Sequence, residues 1–131
     1  MSGALLEVTN LSKTFGGLKA VEALSFAVQP GETLGLIGPN GSGKTTVLNL
    51  LTAAFPSDTG RVLFDGRELR GLPSHQICRA GIARTFQLVR PLRGMSVADN
   101  VLVGRIYGRA AEPLAPAREK VLELLALVGL E

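Results

Sequence analysis

The chain has 131 residues, enough for one domain or part of one, with 46% hydrophobic residues and a net charge of +3. That balance supports a buried core, and the mild, dispersed positive charge with only 5% aromatic residues suits an anionic ligand and does not point to nucleic acid. No apolar run approaches the roughly 18 residues of a membrane span, the first residues lack the parts of a signal peptide, and the single cysteine, Cys78, cannot form an internal disulfide.

The elements follow in order. Leu5-Leu6-Glu7-Val8-Thr9-Asn10-Leu11 predicts a first strand. Residues 12–17 read as a polar turn carrying one aromatic, Phe15. Residues 18–21 resume an extended segment, and Leu24-Ser25-Phe26-Ala27-Val28 alternates like a strand with one covered face. Gln29-Pro30-Gly31-Glu32 is a tight turn. The short connections make these strands antiparallel. Thr33-Leu34-Gly35-Leu36-Ile37 is an apolar run that predicts a buried strand.

Gly38-Pro39-Asn40-Gly41-Ser42-Gly43-Lys44-Thr45-Thr46 then fits G-x-x-x-x-G-K-[ST], the phosphate-binding loop. Val47-Leu48-Asn49-Leu50-Leu51 follows as the inner face of a helix. Strand, glycine loop and helix are the arrangement the motif needs. Gly38, Gly41 and Gly43 allow backbone conformations closed to residues with a Cβ. Amides of the loop, Asn40 and Ser42 among them, are then free to converge on phosphate. The helix start adds its dipole. Lys44 supplies a charge for the β- and γ-phosphates, and the Thr45 hydroxyl is placed to ligate Mg²⁺. Thr46 belongs to the same nucleotide-binding stretch, chiefly as a helix residue.

Residues 54–60 read as a loop, Arg61-Val62-Leu63-Phe64 as a strand, and Asp65-Gly66 as a hairpin turn into a further strand. A short helix runs from Ser74 to Ala80 and is closed by Gly81. It carries His75, expected at the surface, and Cys78, expected as a small buried apolar group. Ile82-Ala83-Arg84-Thr85-Phe86 predicts a strand ending at Gln87. A loop with Arg90 and Arg93 follows; solvated basic groups are the simplest account of both. Ser96-Val97-Ala98-Asp99 opens a helix with Val97 and Val101 on one face. Residues 104–116 read as irregular. Pro116 starts an amphipathic helix whose stripe is Val121, Leu124, Leu125 and Val128, capped by Gly129.

Leu11-Ser12-Lys13-Thr14-Phe15-Gly16-Gly17, the loop at residues 38–46, and Arg84-Thr85-Phe86-Gln87 together resemble the ATP-binding subunits of ABC transporters. The resemblance covers essentially the whole chain. The run Gly81-Ile82-Ala83-Arg84-Thr85-Phe86-Gln87, followed by Val97-Ala98-Asp99-Asn100-Val101, looks especially like the ATPases of branched-chain amino acid importers. The implied fold is an α/β P-loop nucleotide-binding domain with an antiparallel β subdomain. The family's signature loop, acidic strand, catalytic Glu and switch His do not occur within residues 1–131. The chain is therefore expected to be the N-terminal part of a longer ATPase, and alone not to turn ATP over.

The resemblance also assigns roles. Phe15 matches the aromatic that stacks on adenine, with a core ring at a turn as the alternative. Val21 falls near the same pocket. Gln87 matches the glutamine that contacts Mg²⁺ and the attacking water. Lys44 and Gln87 are thus the catalytic candidates, and Thr45 and Gln87 the metal candidates. ATP and Mg²⁺ are the expected cofactors. Transmembrane permease subunits and a second ATP-binding subunit, identical or not, are the expected partners. The location implied is the cytoplasmic face of the membrane. The rival reading is a soluble ATPase acting on the ribosome or nucleic acid, and a third is a nucleotide-binding module that never hydrolyses ATP.

Overall fold

A computed structural model describes residues 3–130. They fall into two compact units, divided between Ile77 and Cys78.

The first unit is built on an antiparallel sheet with strand order β2-β1-β3-β4. Its strands are β1 (Leu6–Phe15), β2 (Leu18–Val28), β3 (Thr59–Phe64) and β4 (Arg67–Glu68). The early strands are antiparallel, as the short connections imply. They are longer than the sequence pattern suggests. Residues 12–15 continue β1, and only Gly16 and Gly17 turn, with φ of 51° and 86°. The two extended pieces after them form one strand, and β3 begins at Thr59, inside the expected loop.

Bulges in both β1 and β2 interrupt the period-2 alternation there. Val8 pairs with Phe26 but Leu11 pairs with Leu24, so β1 carries one extra residue. The same shift appears on its other edge, between the Thr9–Arg61 and Ser12–Thr59 pairs. Asn10, at φ 50°, sits in that bulge, and its N–H donates to Ser25 Oγ at 2.8 Å. Ala23, at φ 46°, marks the first of two irregularities in β2, and its N–H donates to Ser12 Oγ at 2.8 Å. Side-chain acceptors thus take up amides that the interrupted ladder leaves over. At the other end of the sheet, Asp65 and Gly66 have φ of 50° and 74°, the two positive values of a type I′ turn.

Two helices complete this unit's frame: α1 (Lys44–Leu51) and α2 (Ser74–Ala80), the latter ending across the division. Val8, Leu11, Val21, Val47, Leu50, Val62, Leu69 and Ile77 are its buried apolar side chains. Helix α1 has the expected inner face in Val47 and Leu50. Helix α2 matches its predicted bounds and turns Ile77 inward. Cys78 is exposed, contrary to expectation. A residue next to the inward one is rotated by about 100° around the helix, and in two turns only one position faces the core. His75 is at the surface, as expected.

Residues 33–37 and 82–86 are not strands. Among the described residues no strand pairs with either, and Ile37 is 96% exposed. An apolar run becomes a buried strand only when neighbours accept its backbone hydrogen bonds on both sides.

The second unit holds helix α3 (Val97–Tyr107) packed on α4 (Leu114–Leu127). Ser96 caps α3: its Oγ accepts the Asp99 N–H at 3.1 Å and donates to Asp99 Oδ2 at 2.7 Å. The core is Leu102, Ala117, Val121 and Leu125, with Ala98, Val101 and Ile106 against it. The inward stripe of α3 is therefore 98-102-106, one residue on from the expected Val97, which is exposed. Helix α3 also runs past Gly104, whose cost in a helix is only about 1 kcal/mol. Helix α4 begins two residues before Pro116, which is tolerated because first-turn amides have no acceptor within the helix. Its inward stripe is Ala117, Val121 and Leu125, while Leu124 and Val128 face out.

The helix ends with Gly129 at φ 73°. Leu130 N–H reaches the Leu125 carbonyl at 2.8 Å and Gly129 N–H the Ala126 carbonyl at 3.1 Å, a Schellman motif. Between the helices, Glu112 accepts Arg105 Nε at 3.0 Å and Lys120 Nζ at 2.8 Å. The Lys120 and then the Arg105 hydrogen bonds hold its carboxyl below the usual carboxylate range.

Candidate functional site

The first unit carries the glycine loop. Gly41 and Gly43 have φ of 82° and 91°, and Gly43 is the residue from which α1 starts. A Cβ at Gly43 would collide with the Ala20 carbonyl oxygen and lie 3.6 Å from a Val21 methyl. Only glycine lets the loop press against β2 here. Ser42 N–H donates to the Pro39 carbonyl at 3.2 Å, which folds residues 39–42 into a turn.

The first amide of α1 bonded within the helix is that of Val47, donating to the Gly43 carbonyl at 2.9 Å. The amides of Lys44, Thr45 and Thr46 precede it and have no acceptor inside the helix. No acidic residue stands in this first turn to oppose an anion. The Lys44 ammonium donates to the carbonyls of Gly38 at 2.6 Å and Pro39 at 2.7 Å, and to Ser42 Oγ at 3.3 Å. A full positive charge is thus held over the loop, with the helix dipole behind it. Asn40, Gly41 and Thr45 are exposed beside it, and Thr46 is half-buried.

Phe15 and Val21 lie in the same unit. Phe15, the last residue of β1, is 43% exposed, so part of its ring is open for a contact. The Phe55 ring meets it edge to face at a centroid distance of 5.2 Å. The Lys13 ammonium lies 5.3 Å from its centroid. Val21 is buried against Gly43 and supports the loop. Phe15→Ala is expected to cost about 1–3 kcal/mol of ATP affinity, the range for a base on an aromatic platform, and Phe15→Tyr little. Unchanged binding of a fluorescent ATP analogue to Phe15→Ala would make the ring a turn residue only.

Gln87 lies in the second unit and is exposed, beside Phe86, Leu88 and Arg90 at a shallow hollow. The Arg84 guanidinium sits 5.1 Å from the Phe86 ring centroid. Asn100 fastens the loop that follows. Its Oδ1 accepts Leu92 N–H at 2.7 Å, and its Nδ2 donates to the Ser96 carbonyl at 2.9 Å and the Leu92 carbonyl at 3.2 Å. Nothing in the sequence singled out Asn100 for this; an Asn in a first helical turn after a loop was the available signal.

Among the described residues no three His, Cys, Asp or Glu side chains gather to hold a metal. The Thr45 hydroxyl still fits Mg²⁺ chemistry, because this ion takes few protein ligands and completes its shell with phosphate and water oxygens. A separate cleft of about 410 Å³ in the first unit is lined by Leu11, Leu50, Phe55, Val62 and Ile77 among others. Arg70 is its one charged side chain, a lining that does not suit a triphosphate.

The family model described as ABC transporter matches residues 21–131. The chain is 45% identical over 105 residues to the high-affinity branched-chain amino acid transport ATP-binding protein BraF of Pseudomonas aeruginosa, an alignment covering 80% of this chain and 41% of that protein. It is 48% identical over 105 residues to the corresponding protein LivG of Escherichia coli, again covering 80% of this chain and 41% of that one. Among solved structures, it resembles the ADP conformation of an ATP-binding cassette of an ABC transporter, with a TM-score of 0.82 and 32% identity, over 98% of this chain and 55% of that one. The chain thus spans about two fifths of the length of the curated relatives it matches.

Proposed function

The chain belongs to the ABC transporter family, and from that membership we propose that it is the ATP-binding part of an importer for amino acids of the branched-chain class. The observation that carries the nucleotide is the loop itself: Gly43 in the left-handed region, open amides after it, and the Lys44 ammonium held over it. The likeness to BraF and LivG supports the solute class.

In this reading the loop amides and Lys44 bind the β- and γ-phosphates and stabilise charge on them during transfer. Phe15 stacks on adenine. Gly38, Asn40, Gly41, Ser42, Gly43 and Thr46 shape the cradle, with Val21 behind it. The Thr45 hydroxyl would hold Mg²⁺, and Gln87, in the second unit, keeps the metal and attacking-water role that likeness to the family assigns it. Mg²⁺, when held there, would supply positive charge that offsets the charge of the phosphates. Hydrolysis, a partner ATP-binding subunit and permease subunits belong to the complete transporter, which this chain would join from the cytoplasmic face. No helix among the described residues is long and apolar enough to cross a membrane. The rival role on ribosome or nucleic acid is not favoured, since the relatives at 45% and 48% identity are transport ATP-binding proteins.

Uptake of radiolabelled leucine by cells carrying the complete transporter tests this. Uptake should depend on the protein and vanish with Lys44→Ala; uptake independent of the protein would refute the solute class. Residues 87–96 carry exposed Leu88, Val89 and Leu92 beside Arg90 and Arg93. Arg90→Cys and Arg93→Cys are expected to crosslink to a cytoplasmic loop of the permease. An active transporter giving no crosslink at either position would remove this surface from the interface.

A further inference from the structure

We propose that Asp58 is a positioning residue for the base platform: it fixes Phe15 by holding the two residues before it, Lys13 by its ammonium and Thr14 by its amide. The inference rests on the nucleotide reading given above and adds a residue to it.

Phe15 stands where a platform should be unsteady. It is the last residue of β1 and is followed by Gly16 and Gly17, both at positive φ. Strand ends beside paired glycines have little of their own to hold them. Asp58 supplies the hold from 43 residues away. Its Oδ1 accepts Lys13 Nζ at 2.8 Å, and its Oδ2 accepts Thr14 N–H at 2.7 Å.

The carboxylate is itself anchored through its backbone. Asp58 N–H donates to the Ser12 carbonyl at 3.0 Å, and its carbonyl accepts an Arg70 N–H at 3.3 Å. Both ring contacts of Phe15 depend on this loop. Phe55, three residues before Asp58, meets the ring edge to face, and the Lys13 ammonium near the ring is the one Asp58 pairs. A lysine without that partner would turn to solvent, because ammonium hydration competes with a cation–π contact. The Lys13 hydrogen bond, then the Thr14 amide, hold the Asp58 carboxyl below its usual range, so it is ionised in neutral solution.

A ring already fixed before binding spares the ligand the cost of ordering it. The contribution of Asp58 is therefore confined to the base, and phosphate binding should not need it. Titration calorimetry with ATP and with inorganic tripolyphosphate separates the two. Asp58→Asn keeps an oxygen for the Thr14 amide but removes the charge facing Lys13. It is expected to weaken ATP by about two- to tenfold, the cost of immobilising one side chain, and to leave tripolyphosphate unchanged. In a Phe15→Ala background, the same substitution should change ATP binding no further.

Equal losses for ATP and tripolyphosphate would mark a general structural role and overturn the proposal. So would unaltered ATP binding, or a further loss in the Phe15→Ala background. Lys13→Met offers a second route to the same reading and should match Asp58→Asn. A parent protein that binds neither ligand would defeat the phosphate-site reading, and the inference with it.

Discussion

Lys44→Ala is expected to weaken ATP binding by at least about tenfold, because a hydrogen bond to a charged group contributes roughly 1.5–3 kcal/mol and each 1.4 kcal/mol is a factor of ten. The ammonium already lies over the loop, 2.6 Å and 2.7 Å from the Gly38 and Pro39 carbonyls. It therefore need not be recruited from solvent, and little of its binding energy goes into ordering a flexible chain. Removing it leaves two carbonyl oxygens in the loop that face a polyanion without a positive charge between them. Lys44→Arg should recover only part of the affinity. Its guanidinium keeps the charge but is a planar fork where a compact point charge bonds three oxygens. Calorimetry with ATP checks both, and tripolyphosphate should suffer as much as ATP, since the loss falls on phosphate. Equal affinities for parent and Lys44→Ala would sink the phosphate assignment.

The parts of this molecule that were legible in the sequence are those whose cause is local. The glycine loop, the Asp65–Gly66 turn, the Ser96 cap and Gly129 each depend on a few adjacent residues, and each takes the conformation its chemistry demands. Residues 33–37 failed because a buried strand is a relation between segments, and apolar content alone does not supply the partner. The sequence pattern ends the first strand at Leu11 and interrupts the second at residues 22–23, beside bulges at Asn10 and Ala23 that disturb the alternation. Cys78 reads as buried by residue type and Val97 as sharing a face with Val101, but helix phase turns Ile77 and Leu102 inward, keeps Val101 against the core, and leaves Cys78 and Val97 exposed. At the site the same division holds. The loop residues could be named from spacing, whereas Asp58 reaches Lys13 and Thr14 across 45 and 44 residues, a contact no local pattern announces.

Gly60→Ala is expected to damage the first unit severely, costing about 3 kcal/mol or more of stability from backbone strain plus overpacking. Gly60 has φ 98°, a conformation closed to alanine without strain. It also faces the β1 bulge at close range. A Cβ there would lie 2.5 Å from Leu11 Cα, 2.6 Å from the Asn10 carbonyl oxygen and 2.7 Å from Leu11 N. All three are backbone atoms of the central strand, and Leu11 is fully buried, so no side chain can swing aside to make room. Relief would require β3 to draw back from β1, breaking the Ser12–Thr59 pairing next to Asp58 and loosening its hold on Lys13 and Thr14. Gly66→Ala is the control. Gly66 also has positive φ, 74°, but nothing lies within 4 Å of the added carbon. Its cost should be the conformational one alone, about 1–2 kcal/mol. Urea denaturation followed by circular dichroism measures both. If Gly60→Ala is no more destabilising than Gly66→Ala, the close approach of β3 to the bulge does not govern the stability of the sheet.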